Sequence, residues 1–121
     1  MSITFQEFSS TNIARCISPA AFNHAIEDWS LSDWFTAMAG EVGEVGNVIK
    51  KLNRYRDGLG HQNKETEEDL RAQLADEIGD VLAYLDLLAF AAGFHLEGCG
   101  VKKFNAVSAR LGCEIRMPSD G

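Results

Sequence analysis

Apolar side chains recur in steps of four and three along two long stretches of this chain. The first stretch carries Leu31, Phe35, Met38, Val42, Val45, Ile49 and Leu52. The second carries Leu70, Leu74, Ile78, Val81, Leu85, Leu88 and Ala92. This spacing predicts two amphipathic helices, each with one apolar stripe for packing. Ser32 is the expected N-cap of the first, and Asp57-Gly58 its expected end. Thr66 followed by Asp69 predicts a capping box for the second, with Gly93 as its stop. The polar stretch 57–64 between them reads as a loop, a candidate lid. Weaker patterns predict a helix over 4–15, a short piece over 20–28 and a last helix over 96–110. Trp29 and Phe35 read as core. No segment alternates at period two for long enough to make a strand, and no proline falls between Pro19 and Pro118 to break a helix. The expectation is an all-α helical bundle, one domain over 1–121, with a long central hairpin and a fraying tail from Met117.

Composition narrows the function classes. The 121 residues carry 18 acidic and 11 basic side chains, a net charge of -7, which argues against a nucleic acid polymer as partner. A core this small gains from assembly into an oligomer. The apolar run 81–94 is interrupted by Asp86 and is too short to span a membrane. Three cysteines, Cys16, Cys99 and Cys113, have no paired spacing, and the start MSITFQEF lacks the basic and apolar regions of a signal peptide. Free thiols and a cytoplasmic location are expected.

The chemistry lies in four acids. Glu41 and Glu44 are three residues apart, so they share a helix face, about 60° from each other on the wheel. Glu77 and Asp80 repeat the arrangement on the second long helix. Both pairs sit on the stripe beside the apolar seam, the first with Trp34, Ala37 and Val48 and the second with Tyr84. Neither 37–48 nor 72–92 contains a basic residue. Carboxylates crowded without Lys or Arg raise one another's pKa, and a hard divalent cation relieves that conflict. Oxygen donors favour magnesium, with manganese as a substitute. A solvated acidic face is the competing reading. A carboxylate di-iron site is discounted because His24, His61 and His95 lie outside a Glu-x-x-His element.

Glu41-Val-Gly-Glu44 and Glu77-Ile-Gly-Asp80 resemble the ExxE and ExxD motifs of the MazG-like all-α nucleoside triphosphate pyrophosphohydrolases. Asp80-Val-Leu-Ala-Tyr84-Leu and the basic segment from Lys103 to Arg110 are similar to the runs that follow in that family. The likeness covers about residues 34–112. One departure is the 32 residues between Glu44 and Glu77, a long linker for the family. The resemblance implies a homodimer or homotetramer that hydrolyses (deoxy)nucleoside triphosphates to the monophosphate and pyrophosphate with magnesium. Glu41, Glu44, Glu77 and Asp80 are then the metal ligands. Glu41 or Glu44 is the candidate general base on water. Lys51, Lys103, Asn105 and Arg110 are candidates for the phosphates or sugar, and Trp34 or Tyr84 for stacking on the base. Core packing competes for both aromatics, and a solvated helix end competes for Lys103 and Arg110. A phosphoribosyl-ATP pyrophosphatase is a close variant. The rival from another class is a non-enzymatic helical interaction protein with an acidic cation-binding patch.

Overall fold

The computed structural model describes residues 2–119, and these are all-helical. Four α-helices follow in order: α1 (Phe5–Ile17), α2 (Leu31–Arg56), α3 (Glu67–Ala91) and α4 (Leu96–Arg110). Short 3-10 turns occur at Ile26–Asp28 and Gly60–Gln62. α2 and α3 form the expected hairpin and pack along their length. α1 lies across α3, and α4 touches α1 and α3. No single helix among the described residues is long and apolar enough to cross a membrane.

Local sequence explains the boundaries, with two shifts from expectation. α2 begins one residue after Ser30, not at Ser32. Ser30 accepts from the Asp33 amide, and the Asp33 carboxylate accepts from the Ser30 amide, so a full capping box closes the helix start. Thr66 caps α3 through the Asp69 amide, but only in that one direction. Thr4 caps α1 in the same way, through the Glu7 amide. The chain then turns at 18–24, where Asn23 adopts φ +50, a left-handed conformation that asparagine tolerates. The turn carries His24 back to α1, and its amide donates to the Cys16 carbonyl at 2.8 Å.

The connection between α2 and α3 is latched rather than free. Lys51 Nζ pairs with Glu65 at 3.0 Å, Arg54 donates to Asn63 Oδ1 at 2.8 Å, and Asn63 donates back to the Lys51 carbonyl at 2.8 Å. Tyr55 Oη donates to the Glu65 carbonyl. The Tyr55 ring lies so close over Gly60 that a Cβ there would collide with it. These ties hold the segment expected as a loop against the end of the hairpin. The tail is also tied: Asn105 donates to the Met117 carbonyl at 2.9 Å and accepts from its amide at 2.8 Å. Residues 120 and 121, the rest of the expected fraying tail, lie outside the described residues.

The core is small and lies to one side. Cys16, Ile26, Trp34 and Leu87 are buried together, with Ile13, Tyr84, Leu88 and Ala91 packed against them. The α2 seam read from the sequence is split. Met38, Val45 and Leu52 are half-buried on the hairpin, whereas Leu31, Phe35, Val42 and Ile49 are exposed. The neighbouring stripe, Trp34–Glu41–Val48, turns inward instead, and Trp34 packs there with Cys16 of α1, Ile26 and Leu87 of α3. Phe35 and Trp29, expected in the core, are 57% and 36% exposed.

Candidate metal centre and aromatic cavity

Glu41 on α2 and Glu77 and Asp80 on α3 come together. One carboxylate oxygen from each lies within 4.8 Å of the others. Helix geometry explains this: Glu77 and Asp80 share a face of α3, and Glu41 takes the inward stripe of α2 directly opposite. Glu44 is exposed and stands outside the triad, though its charge still acts on it. The Glu41 carboxyl is held above its usual range, first by partial burial and then by the negative charges of Asp80, Glu77 and Glu44. Among the described residues no lysine or arginine forms an ion pair with these acids. Three oxygen donors without a countercharge suit a hard divalent cation such as magnesium or manganese.

The triad opens onto a cavity of about 300 Å³. Glu41 and Asp80 form one side. Phe22, His24, Trp29, Trp34 and Tyr84 supply an aromatic lining. The rings of His24 and Trp29 stand edge to face with centroids 4.6 Å apart, and Trp29 and Trp34 are also separated by 4.6 Å. Trp34 is 2% exposed, and its indole N–H donates to the Ile26 carbonyl at 3.0 Å. That bond fixes the ring as a wall of the cavity and ties the 3-10 turn to α2. Trp29 is far more exposed than Trp34 and is the more accessible ring. His24 Nδ1 lies 2.8 Å from the Ala25 carbonyl, which orients the imidazole.

Asn12 braces the site from α1. Its amide donates to the Ala83 carbonyl at 2.9 Å and to the Asp86 carboxylate at 3.0 Å. Asp86 is 2% exposed, so this hydrogen bond satisfies a buried acid and pins α1 to α3 just past Asp80.

The other residues singled out in the sequence fall elsewhere. Tyr84 lines the cavity. Lys51 is engaged by Glu65 in the hairpin latch, and Asn105 holds the tail, so neither faces the acids with a free side chain. Lys103 and Arg110 are exposed on α4, which contributes nothing to the cavity lining. Sequence reasoning missed Asn12, Arg15, His24 and the exposed side of Trp29. Two tryptophans five residues apart, flanking the helix cap at Ser30, were the available signal. The turn at 18–24 that folds His24 onto them was not visible in any periodicity.

Comparison with known proteins adds one relative. The Gene 37 protein of Mycobacterium phage L5 is 34% identical over 73 residues, which are 60% of this chain and 59% of that protein. The chain thus spans about three-fifths of the length of the curated relative it matches. No family model matches, and no solved structure matches.

Proposed function

We propose that the protein hydrolyses (deoxy)nucleoside triphosphates to the monophosphate and pyrophosphate in the presence of magnesium, with manganese as a substitute. The observation that carries this reading is the sharing of Glu41 and Asp80 between the carboxylate triad and the aromatic cavity. A site that combines divalent-cation donors with stacking rings suits a ligand that joins phosphates to a flat base.

Glu41, Glu77 and Asp80 are the residues to hold the cation. Magnesium bound there supplies charge neutralisation and polarisation of phosphate oxygens. Trp29 and His24 take the base by stacking, against walls fixed by Trp34 and Tyr84. Water adds at the α-phosphorus, the α–β anhydride bond breaks, and pyrophosphate leaves. Glu44 lies near enough to influence Glu41 but is outside the triad, so it is the better placed of the two for orienting that water and accepting its proton.

The reading includes a second copy of the chain. The surface of 8743 Å² exceeds by about 2,300 Å² what a compact monomer of this mass exposes. Part of the excess is the extended segment 113–119. The rest is of the order that obligate homodimers cover. Phe35, Val42 and Ile49 on α2 follow a seven-residue repeat, and Ile78 of α3 is exposed as well. A seven-residue repeat is the pattern that helices use to pack on a partner helix. The same bare face favours the alternative of a helical interaction protein, in which the acids bind a cation without turnover.

The deciding experiment is a panel of standard and modified nucleoside triphosphates with magnesium, in which monophosphate and pyrophosphate are both quantified. Equal amounts of the two from at least one substrate are expected. Orthophosphate in place of pyrophosphate, or no product across the panel, overturns the reading.

A further inference from the structure

We propose that Arg15 of α1 binds the phosphate chain of the substrate, an inference that rests on the nucleotide reading above. Two cavities flank Asp80. One is the aromatic cavity, and the other is a groove of about 720 Å³ between α1 and α3. Asn12, Arg15, Asp80 and Ala83 line both, so Arg15 stands with Asp80 where the two meet. Among the eleven lysines and arginines of the chain, Arg15 is the one that lines either cavity.

Its surroundings leave the guanidinium free for a ligand. The group lies 5.4 Å from the centroid of the Phe22 ring, a cation–π contact that holds the side chain without using its N–H donors. No carboxylate among the described residues pairs with it, although Asp80 shares both cavity walls. Charge favours the role. One divalent cation offsets two of the charges on Glu41, Glu44, Glu77 and Asp80, and a triphosphate brings several more negative charges. A positive side chain beside the acids lowers the repulsion between the site and a triphosphate. A planar guanidinium fits phosphate oxygens through paired hydrogen bonds.

A plain structural role is the competing account, since a basic side chain in the last turn also stabilises the helix end. The test therefore separates phosphate from base. Arg15→Gln and Arg15→Lys are compared with the unmodified protein for KM with the best triphosphate from the panel. The inhibition constant of the matching nucleoside, which has no phosphate, is measured alongside. Arg15→Gln should raise KM by about 10- to 100-fold, the value of a lost charge-assisted hydrogen bond. Nucleoside inhibition should stay within about twofold, and Arg15→Lys should recover part of the loss. An unchanged KM, or equal losses for triphosphate and nucleoside, overturns the assignment while the nucleotide reading stands. An unmodified protein that turns over no triphosphate sinks both.

Discussion

Trp34 and Phe35 are sequence neighbours about 100° apart around α2, and they divide the molecule. Trp34 faces α1, the 3-10 turn and the acids, and it is almost wholly buried. Phe35 faces away with Val42 and Ile49, and it is exposed. The first side carries charges without a countercharge, and the second carries apolar surface without a cover. On the reading proposed above, a cation and a phosphate ligand would meet the first side and a second chain would cover the other. Different residues make up the two faces, so each can be probed by its own substitution.

The largest effect should come from cutting the covered side. Trp34→Ala removes the largest buried side chain of the core and its bond to Ile26. A loss of about 3–5 kcal/mol is expected, on the order of 15 °C in melting temperature. Phe35→Ala, one residue along, should cost under about 0.5 kcal/mol at low protein concentration, where the face is open to water. Thermal melts at two concentrations check both. Sedimentation should find Phe35→Asp monomeric where the unmodified chain associates. Equal melting losses for Trp34→Ala and Phe35→Ala at high dilution would contradict the division.

Next in size is the charge deficit. Glu77→Gln should lower magnesium-dependent turnover by about a hundredfold or more, with helicity unchanged by circular dichroism. The same substitution should remove the stabilisation that magnesium confers, about 2.7 kcal/mol at a hundredfold excess over its dissociation constant. A melting temperature that rises equally with magnesium in both proteins would place the cation elsewhere.

How much of this was legible in the sequence differs between the two sides. The helices, the hairpin and the pairing of carboxylates followed from spacing alone, because period 3.6 fixes which residues share a face. Which face turns inward did not follow. The seven residues from Leu31 to Leu52 formed the cleaner apolar stripe, yet the stripe of Trp34, Glu41 and Val48 took the interior. At Trp34 the inward face packs on Cys16 of α1 and on Ile26, an arrangement accompanied by the left-handed turn at Asn23 and the Asn12–Asp86 bond. Both are features of contacts between distant parts of the chain. The local partners of Lys51 and Asn105 were not legible for a related reason. A polar side chain in a promising segment can be consumed by a local partner, here Glu65 and Met117, that pattern reading does not see.

A smaller effect tests the bare side by its sign. Gly46 lies one turn from Val42 and Ile49 along that face, and a Cβ added to it meets nothing within 4 Å. In an isolated helix Gly46→Ala should gain roughly 1 kcal/mol. With a second chain packed on this face, the added methyl crowds the contact and the dimer weakens. The expected result is therefore a higher melting temperature at high dilution and a weaker association constant at high concentration. A gain at both concentrations would leave the glycine without a partner to explain it.

The smallest effect returns to the covered side and concerns Glu41. Its folded pKa is raised, so the folded state holds this proton more tightly than the unfolded chain does. Stability from this group is present below the ordinary carboxylate range. It is lost as pH rises through the raised value, and above that the ionised Glu41 is a net cost. Glu41→Gln should then raise the melting temperature slightly at neutral pH without magnesium, and the gain should fade on acidification. Magnesium should invert the ranking and leave the unmodified protein more stable than Glu41→Gln, because the carboxylate that strains the empty site is the one that completes the filled one. If Glu41→Gln stays the more stable protein at every magnesium concentration, Glu41 is merely a crowded acid, and the cation needs only Glu77 and Asp80.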